Sequence, residues 1–120
     1  MSADRAELAL SEILDEIRWL EGRVVGTTFE MFVGDRTLRY AVERSIEIIS
    51  EASRRIPEEA KAHRPDIPWR AIAGVGNILR HEYHAVAPRI VWDVVARDLS
   101  GLARAVEEIS RRLEMKPGSR

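Results

Sequence analysis

Residues 10–24, LSEILDEIRWLEGRV, decide the fold class. Leu10, Ile13, Leu14, Ile17, Leu20 and Val24 recur at three- and four-residue steps, which lays one apolar stripe along a long first helix ending near Gly26. The same period continues downstream. Thr27 or Thr28 is suited to cap a short helix through TTFEMFVG, on which Phe29 and Phe32 face the same way. Asp35 then starts a third helix that carries Leu38, Val42, Ile46 and Ile49 inward and runs to Arg55, where Pro57 stops it. The proline-bracketed connector PEEAKAHRPDIP, residues 57–68, has room for one helical turn of its own.

A fourth helix opens with Asp66 as cap and Pro68 in its first turn, and runs from Trp69 to about Tyr83. Pro88 permits a fifth to begin, through Ile90, Val91, Val94 and Val95. A last stripe of Leu99, Leu102, Val106, Ile109 and Leu113 leads to the tail KPGSR, with Gly101 as the expected bend or junction. No strand pattern competes and no internal repeat is present. The expected architecture is all-α, an antiparallel bundle of four to five main helices, with residues 1–120 forming one helical domain and 115–120 a disordered tail.

Composition narrows the function classes. With 19 basic against 20 acidic side chains, no bulk charge advertises a polyanion partner, so any nucleic-acid contact must come from a local patch. The absence of cysteine rules out disulfides and cysteine-ligated zinc or iron–sulfur clusters, and fits a reducing cytosol. MSADRAELAL is interrupted by Asp4, Arg5 and Glu7, and no apolar run approaches the roughly 20 residues of a membrane span. The chain is therefore expected to be soluble and cytoplasmic, without a membrane partner.

One stretch concentrates chemistry. GNILRHEYH, residues 76–84, holds two of the three histidines and one of the two tyrosines. At about 100° per residue, Ile72, Val75, Gly76, Leu79 and Tyr83 fall on one side of the fourth helix, and Arg70, Asn77, His81 and His84 roughly opposite. Histidine exchanges protons near neutral pH, asparagine both donates and accepts, and arginine holds its charge, so the polar stripe suits phosphate or base contacts. The solvated face of an amphipathic helix has the same pattern, and periodicity alone leaves both readings open.

Other chemistries find less support. His81 and His84 stand three apart, not at the HExxH spacing, and no third ligand accompanies them, so neither metal nor cofactor is expected. His63 is alone in the connector. Glu47 and Glu51 share a face of the third helix, but Arg44, Arg54 and Arg55 surround them, which predicts salt bridging within the helix. Gly74 and Gly76 complete no phosphate-loop fingerprint, and there is no Gly-x-Ser-x-Gly elbow.

The segments DIPWRAIAGVGNILRHEYHAVAPRIVWDVVARDL (66–99) and TFEMFVGDRTLRYAVERSIEIISEASRRIPEEAKAHRPDIPW (28–69) together carry a resemblance. With their IPW, N-x-L-x-H-x-Y and VW elements in this order, the chain resembles, over about residues 8 to 113, the HepT family of the HEPN superfamily, partners of MNT nucleotidyltransferases in type VII toxin–antitoxin pairs. The resemblance implies a small all-helical homodimer whose Arg-x4–6-His-x-Tyr motif, near the dimer groove, cuts RNA without a metal. In that mechanism histidine moves the proton of the ribose 2′-hydroxyl or of the leaving group, and arginine neutralises the phosphorane-like transition state.

Carried onto this chain, the roles fall on His81 and Asn77, with Tyr83 as the acceptor of AMP from an MNT-type nucleotidyltransferase antitoxin, a transfer that silences the toxin. The chain departs from the pattern at one position. The family reads GMRN where this sequence reads GVGN, so Gly76 stands at the motif arginine and Arg80, one turn further on, is the nearest replacement. Two functions follow as expectations: an endoribonuclease toxin weakened by Gly76, which an arginine at 76 would strengthen where it fits, or a catalytically inactive dimer that still binds a nucleotidyltransferase.

Overall fold

A single left-handed residue ends the first helix. In the computed structural model, which describes residues 2–82 and 88–115, α1 spans Ser2–Val24 and Gly26 follows at φ +78°, a conformation that costs glycine little. The caps read from the sequence form: Thr28 accepts from the Met31 amide at 3.1 Å to open α2 (Phe29–Gly34), and Asp35 accepts from the Leu38 amide at 3.0 Å to open α3 (Arg36–Ser53). The third helix stops two residues short of Arg55. Its last turn tightens, with Arg55 and Ile56 amides donating to Ala52 and Ser53, before Pro57.

The connector contains the expected turn, α4 (Glu58–Lys61), and α5 runs Trp69–Glu82. After α6 (Pro88–Asp93) come a π-helical turn at Val94–Asp98 and then α7 (Leu99–Met115). Gly101 is not the junction; it lies inside α7, and the irregularity precedes it. Spacing explains why. Val91, Val95 and Leu99 are all buried at successive four-residue steps, each of which drifts about 40° around an ideal α-helix, and a π turn holds more residues per turn and keeps them on one side.

The bundle is antiparallel, as ion pairs and hydrogen bonds record. Glu16 meets Ser45 while the earlier Glu12 meets the later Arg55, so α1 and α3 run oppositely. Arg80 lies beside Arg44 and Glu47 while Ala73 meets Ser50 and Arg54, so α3 and α5 do too. Helix α3 is central, packed against α1 on one side and α5 on the other, and α7 packs on α1. Ile13, Ile17 and Leu20, Val42 and Ile46, and Val106 and Ile109 form one core cluster of the stripes read from sequence. At one end Trp92 of α6 stacks at 5.1 Å on Phe32 and 6.4 Å from Phe29, and the Arg89 guanidinium sits 3.7 Å from the Phe29 ring centre. Every described element is helical, and none is long and apolar enough to cross a membrane. Residues 116–120, which hold most of the expected tail, lie outside the described residues.

Candidate functional site

The start of α5 is fixed by Arg64, not by the cap expected of Asp66. Both Asp66 carboxylate oxygens accept from the Arg64 guanidinium, at 3.0 and 2.8 Å, and among the described residues no α5 amide donates to them. A forked guanidinium outcompetes a lone amide for a carboxylate. Arg64 also reaches Glu108 of α7 at 3.1 Å, and its carbonyl accepts the Trp69 indole N–H at 3.0 Å. Pro68 closes the first turn through its own carbonyl, which accepts from Ile72 at 3.0 Å.

Downstream the helix divides as its periodicity predicts. Leu79 is buried and Ile72 and Val75 pack against the core, whereas Arg70, Asn77, Arg80 and His81 are exposed. Among the described residues, no hydrogen bond or ion pair engages the side chains of Asn77, Arg80 or His81. His84, which the sequence adds to this stripe, and Tyr83, which it puts on the opposite side, lie outside the described residues.

Gly76 is buried against α3. Its amide donates to Ser50 Oγ at 3.1 Å, and a Cβ at residue 76 would lie 2.7 Å from Ser50 Oγ and 2.9 Å from Ser50 Cβ. The Arg80 Nη1 stands 3.7 Å from the same point. Arg80 thus folds back over the turn that carries Gly76, as the four-residue spacing allows. An arginine substituted at 76 does not fit unless Ser50 or α5 shifts, so the condition on which Gly76→Arg was expected to raise activity is not met by this packing.

Beyond Arg80 lies an open groove of ≈ 360 Å³ lined by Arg44, Glu47, Ile48, Glu51, Arg55 and Arg80. Only part of the expected salt bridging within α3 is present: Arg44 pairs with Glu47 at 3.2 Å, but Arg55 reaches across to Glu12 of α1 at 2.6 Å and Arg54 binds the Ala73 carbonyl of α5. Burial raises the Glu43 carboxyl above its ordinary value, Arg39 pulls it back, and Glu47 adds a smaller upward push. The sequence marks Arg54 only as a salt-bridge partner within α3 and gives Ser50 no role. The one signal for Ser50 is that it and Ser53 fall in phase with the buried Ile46 and Ile49. Among the described residues, no group of three His, Asp or Glu side chains is arranged to hold a metal ion.

Residues 13–109 match the family model described as ribonuclease HepT-like. The chain belongs to the HepT-like ribonuclease family. This HepT-like chain is 41% identical over 100 residues to a protein of Caldanaerobacter subterraneus subsp. tengcongensis named "Putative RNase", a match covering 83% of this chain and 89% of that one. It is 35% identical over 102 residues to the "Probable ribonuclease HepT" of Thermococcus cleftensis, covering 85% and 93% of the two chains. No solved structure is significantly similar to this HepT-like chain.

Proposed function

We propose that this protein is a metal-independent endoribonuclease of the HepT type, working from the exposed face of α5. The observation that carries the reading is the group of exposed side chains Asn77, Arg80 and His81, unengaged among the described residues and gathered on one stretch of a helix otherwise held in the bundle. His81 moves the proton of the ribose 2′-hydroxyl or of the leaving oxygen. Arg80, in place of a residue at 76, neutralises the charge that develops on phosphorus-bound oxygens, and Asn77 orients the same phosphate.

Further parts of the reading follow from the family. The protein is the toxin of a type VII MNT/HepT pair, and Tyr83 accepts AMP from an MNT-type nucleotidyltransferase, which adds phosphate beside His81 and repels RNA. It works as a homodimer that brings two copies of His81 to one cleft, and an apolar groove of ≈ 520 Å³ lined by Ile72, Val75 and Ile78 of α5 and Leu99 and Leu102 of α7 supports such an assembly.

The test is cleavage of a labelled RNA by the unmodified protein in EDTA. His81→Ala should lower the rate by roughly 100- to 10,000-fold, and cleavage indifferent to that change would remove the site. Intact-mass analysis after co-expression with an MNT-type enzyme should show an adenylyl increment that Tyr83→Phe abolishes. An inactive dimer that only binds the nucleotidyltransferase is the second reading, favoured by the lack of room for an arginine at 76. RNA cleavage by the purified protein excludes it.

A further inference from the structure

Among the described residues, side chains of helix α3 bind the backbone of α5 within one turn. Ser50, buried to 2% exposure, gives its hydroxyl proton to the Ala73 carbonyl at 2.9 Å and receives the Gly76 amide at 3.1 Å. One hydroxyl can do both, since it carries one proton and two lone pairs. Arg54 adds Nε at 3.2 Å and Nη2 at 2.8 Å to the same Ala73 carbonyl. Two side chains of α3 therefore hold two backbone groups within one turn of α5, and that turn is the one over which Arg80 folds.

The space is defined from both sides. At the point where a side chain on residue 76 would begin, Ser50 closes the floor within 2.9 Å and the Arg80 guanidinium lies 3.7 Å away. A methyl group there sits in ordinary contact with Arg80 but must push α5 away from Ser50. Ser50 can yield little, because its oxygen is held by two partners on α5 and its carbonyl accepts the Ser53 hydroxyl at 2.7 Å.

We propose that Ser50 is a positioning residue for Arg80, and that Ser50 and Gly76 act as one unit: the hydroxyl sets the distance of α5 from α3, and the bare backbone at 76 lets the turn that carries Arg80 approach that closely. The ligand is a phosphodiester, recognised by Arg80 beside Asn77. This identification of the ligand rests on the RNA-cleaving reading; the clasp does not. Guanidinium recognition of phosphate is directional, so a shift of the turn by a fraction of an ångström changes binding without changing charge.

The experiment is a double-substitution cycle on the full chain: natural protein, Ser50→Ala, Arg80→Ala and both together. Each is titrated with a short all-2′-deoxy oligonucleotide, which offers phosphodiesters but cannot be cut by 2′-hydroxyl attack, and is assayed for kcat and KM on labelled RNA. Helicity is checked by circular dichroism. Ser50→Ala should weaken oligonucleotide binding on the order of tenfold and should weaken it no further once Arg80 is gone. Should Ser50→Ala fail to fold, Gly76→Ala carries the same cycle, with the same Arg80-dependent loss expected. Equal losses in both backgrounds, or none in either, overturn the proposal, as does failure of the natural protein to bind the oligonucleotide. Retained, Arg80-dependent binding without RNA cleavage removes the proposed ribonuclease function and leaves the positioning role standing.

Discussion

Toward α3, helix α5 is held by its backbone with no room for one more carbon at Gly76; toward α7 it borders an open apolar groove of ≈ 520 Å³. Two residues earlier, Gly74 lines that groove, and a Cβ added there would meet nothing within 4 Å. Ile72, Val75 and Ile78 face the same groove from α5, and Leu99 and Leu102 face it from α7. Asn77 and His81 lie on the solvent side between the two flanks. The difference separates two tasks: the tight flank sets where the site's charges stand, while the open flank leaves apolar surface of the kind that a second copy covers.

The largest contrast between the flanks is expected in the core. Leu79, 3% exposed, and Ile78, 44% exposed, are neighbours that face different ways. Leu79→Ala should cost about 2–5 kcal/mol, because its cavity is enclosed, whereas Ile78→Ala should stay within about 0.5 kcal/mol in the monomer. Urea unfolding of both variants measures this, and similar losses for the pair would erase the distinction between flanks. Next in size is assembly. Ile78→Glu puts a carboxylate into the groove, so if a second copy seats there its dissociation constant should rise by roughly 100-fold or more. Light scattering across a concentration series reads the effect, and an unchanged dimer places the second copy elsewhere.

The two glycines sharpen the contrast at smaller scale. Alanine in place of glycine inside a helix ordinarily gains about 0.5–1 kcal/mol, and Gly74→Ala should gain that much. Gly76→Ala should instead lose about 1–3 kcal/mol, since the added methyl overpacks Ser50. Opposite shifts in thermal midpoint are expected. A gain at both positions would mean that α3 and α5 separate easily.

The extent to which these flanks were legible in the sequence follows from what each depends on. The apolar stripes were readable because burial repeats with the helical period, and the caps at Thr28 and Asp35 because they act on amides a few residues away. Ser50 and Arg54 were not readable in the same way. Their partner is a carbonyl on another helix, at Ala73, and nothing local to α3 distinguishes a serine that clasps a neighbour from one that faces water. The misassigned Asp66 has the same origin: its sequence position favours a cap, but Arg64 holds it in a fork that also reaches α7. For His81 and Asn77, periodicity gave the exposed face, and only the resemblance gave that face a chemistry.

The smallest expected effect concerns acid. At the end of the open flank, Arg64 joins Asp66 to Glu108, and Arg112 also binds Glu108 at 3.2 Å. The hydrogen bond from Arg64 holds the Asp66 carboxyl below its ordinary value, and Arg112, then Arg64, hold Glu108 below its own. Carboxyls lowered in the folded state contribute stability above the ordinary carboxylate range and lose it as pH falls through their folded values. Glu43, raised by burial, has the opposite sign: its contribution is present below its ordinary value and is lost as pH rises through the raised one. The clasp on the other flank joins Ser50 and Arg54 to backbone groups of α5 and contains no carboxyl. Lowering the pH from 6 to 3 should therefore lower the thermal midpoint partly through the Arg64 network, and Arg64→Met should shrink that drop while Ser50→Ala leaves its size unchanged. Because Asp66 and Arg112 are exposed and Arg64 and Glu108 only half-buried, solvent screens the pairs, and the difference should be small and should fade in high salt. A drop in Arg64→Met as large as in the natural protein would show that acid acts elsewhere, and a drop reduced by Ser50→Ala would show that the two flanks are coupled.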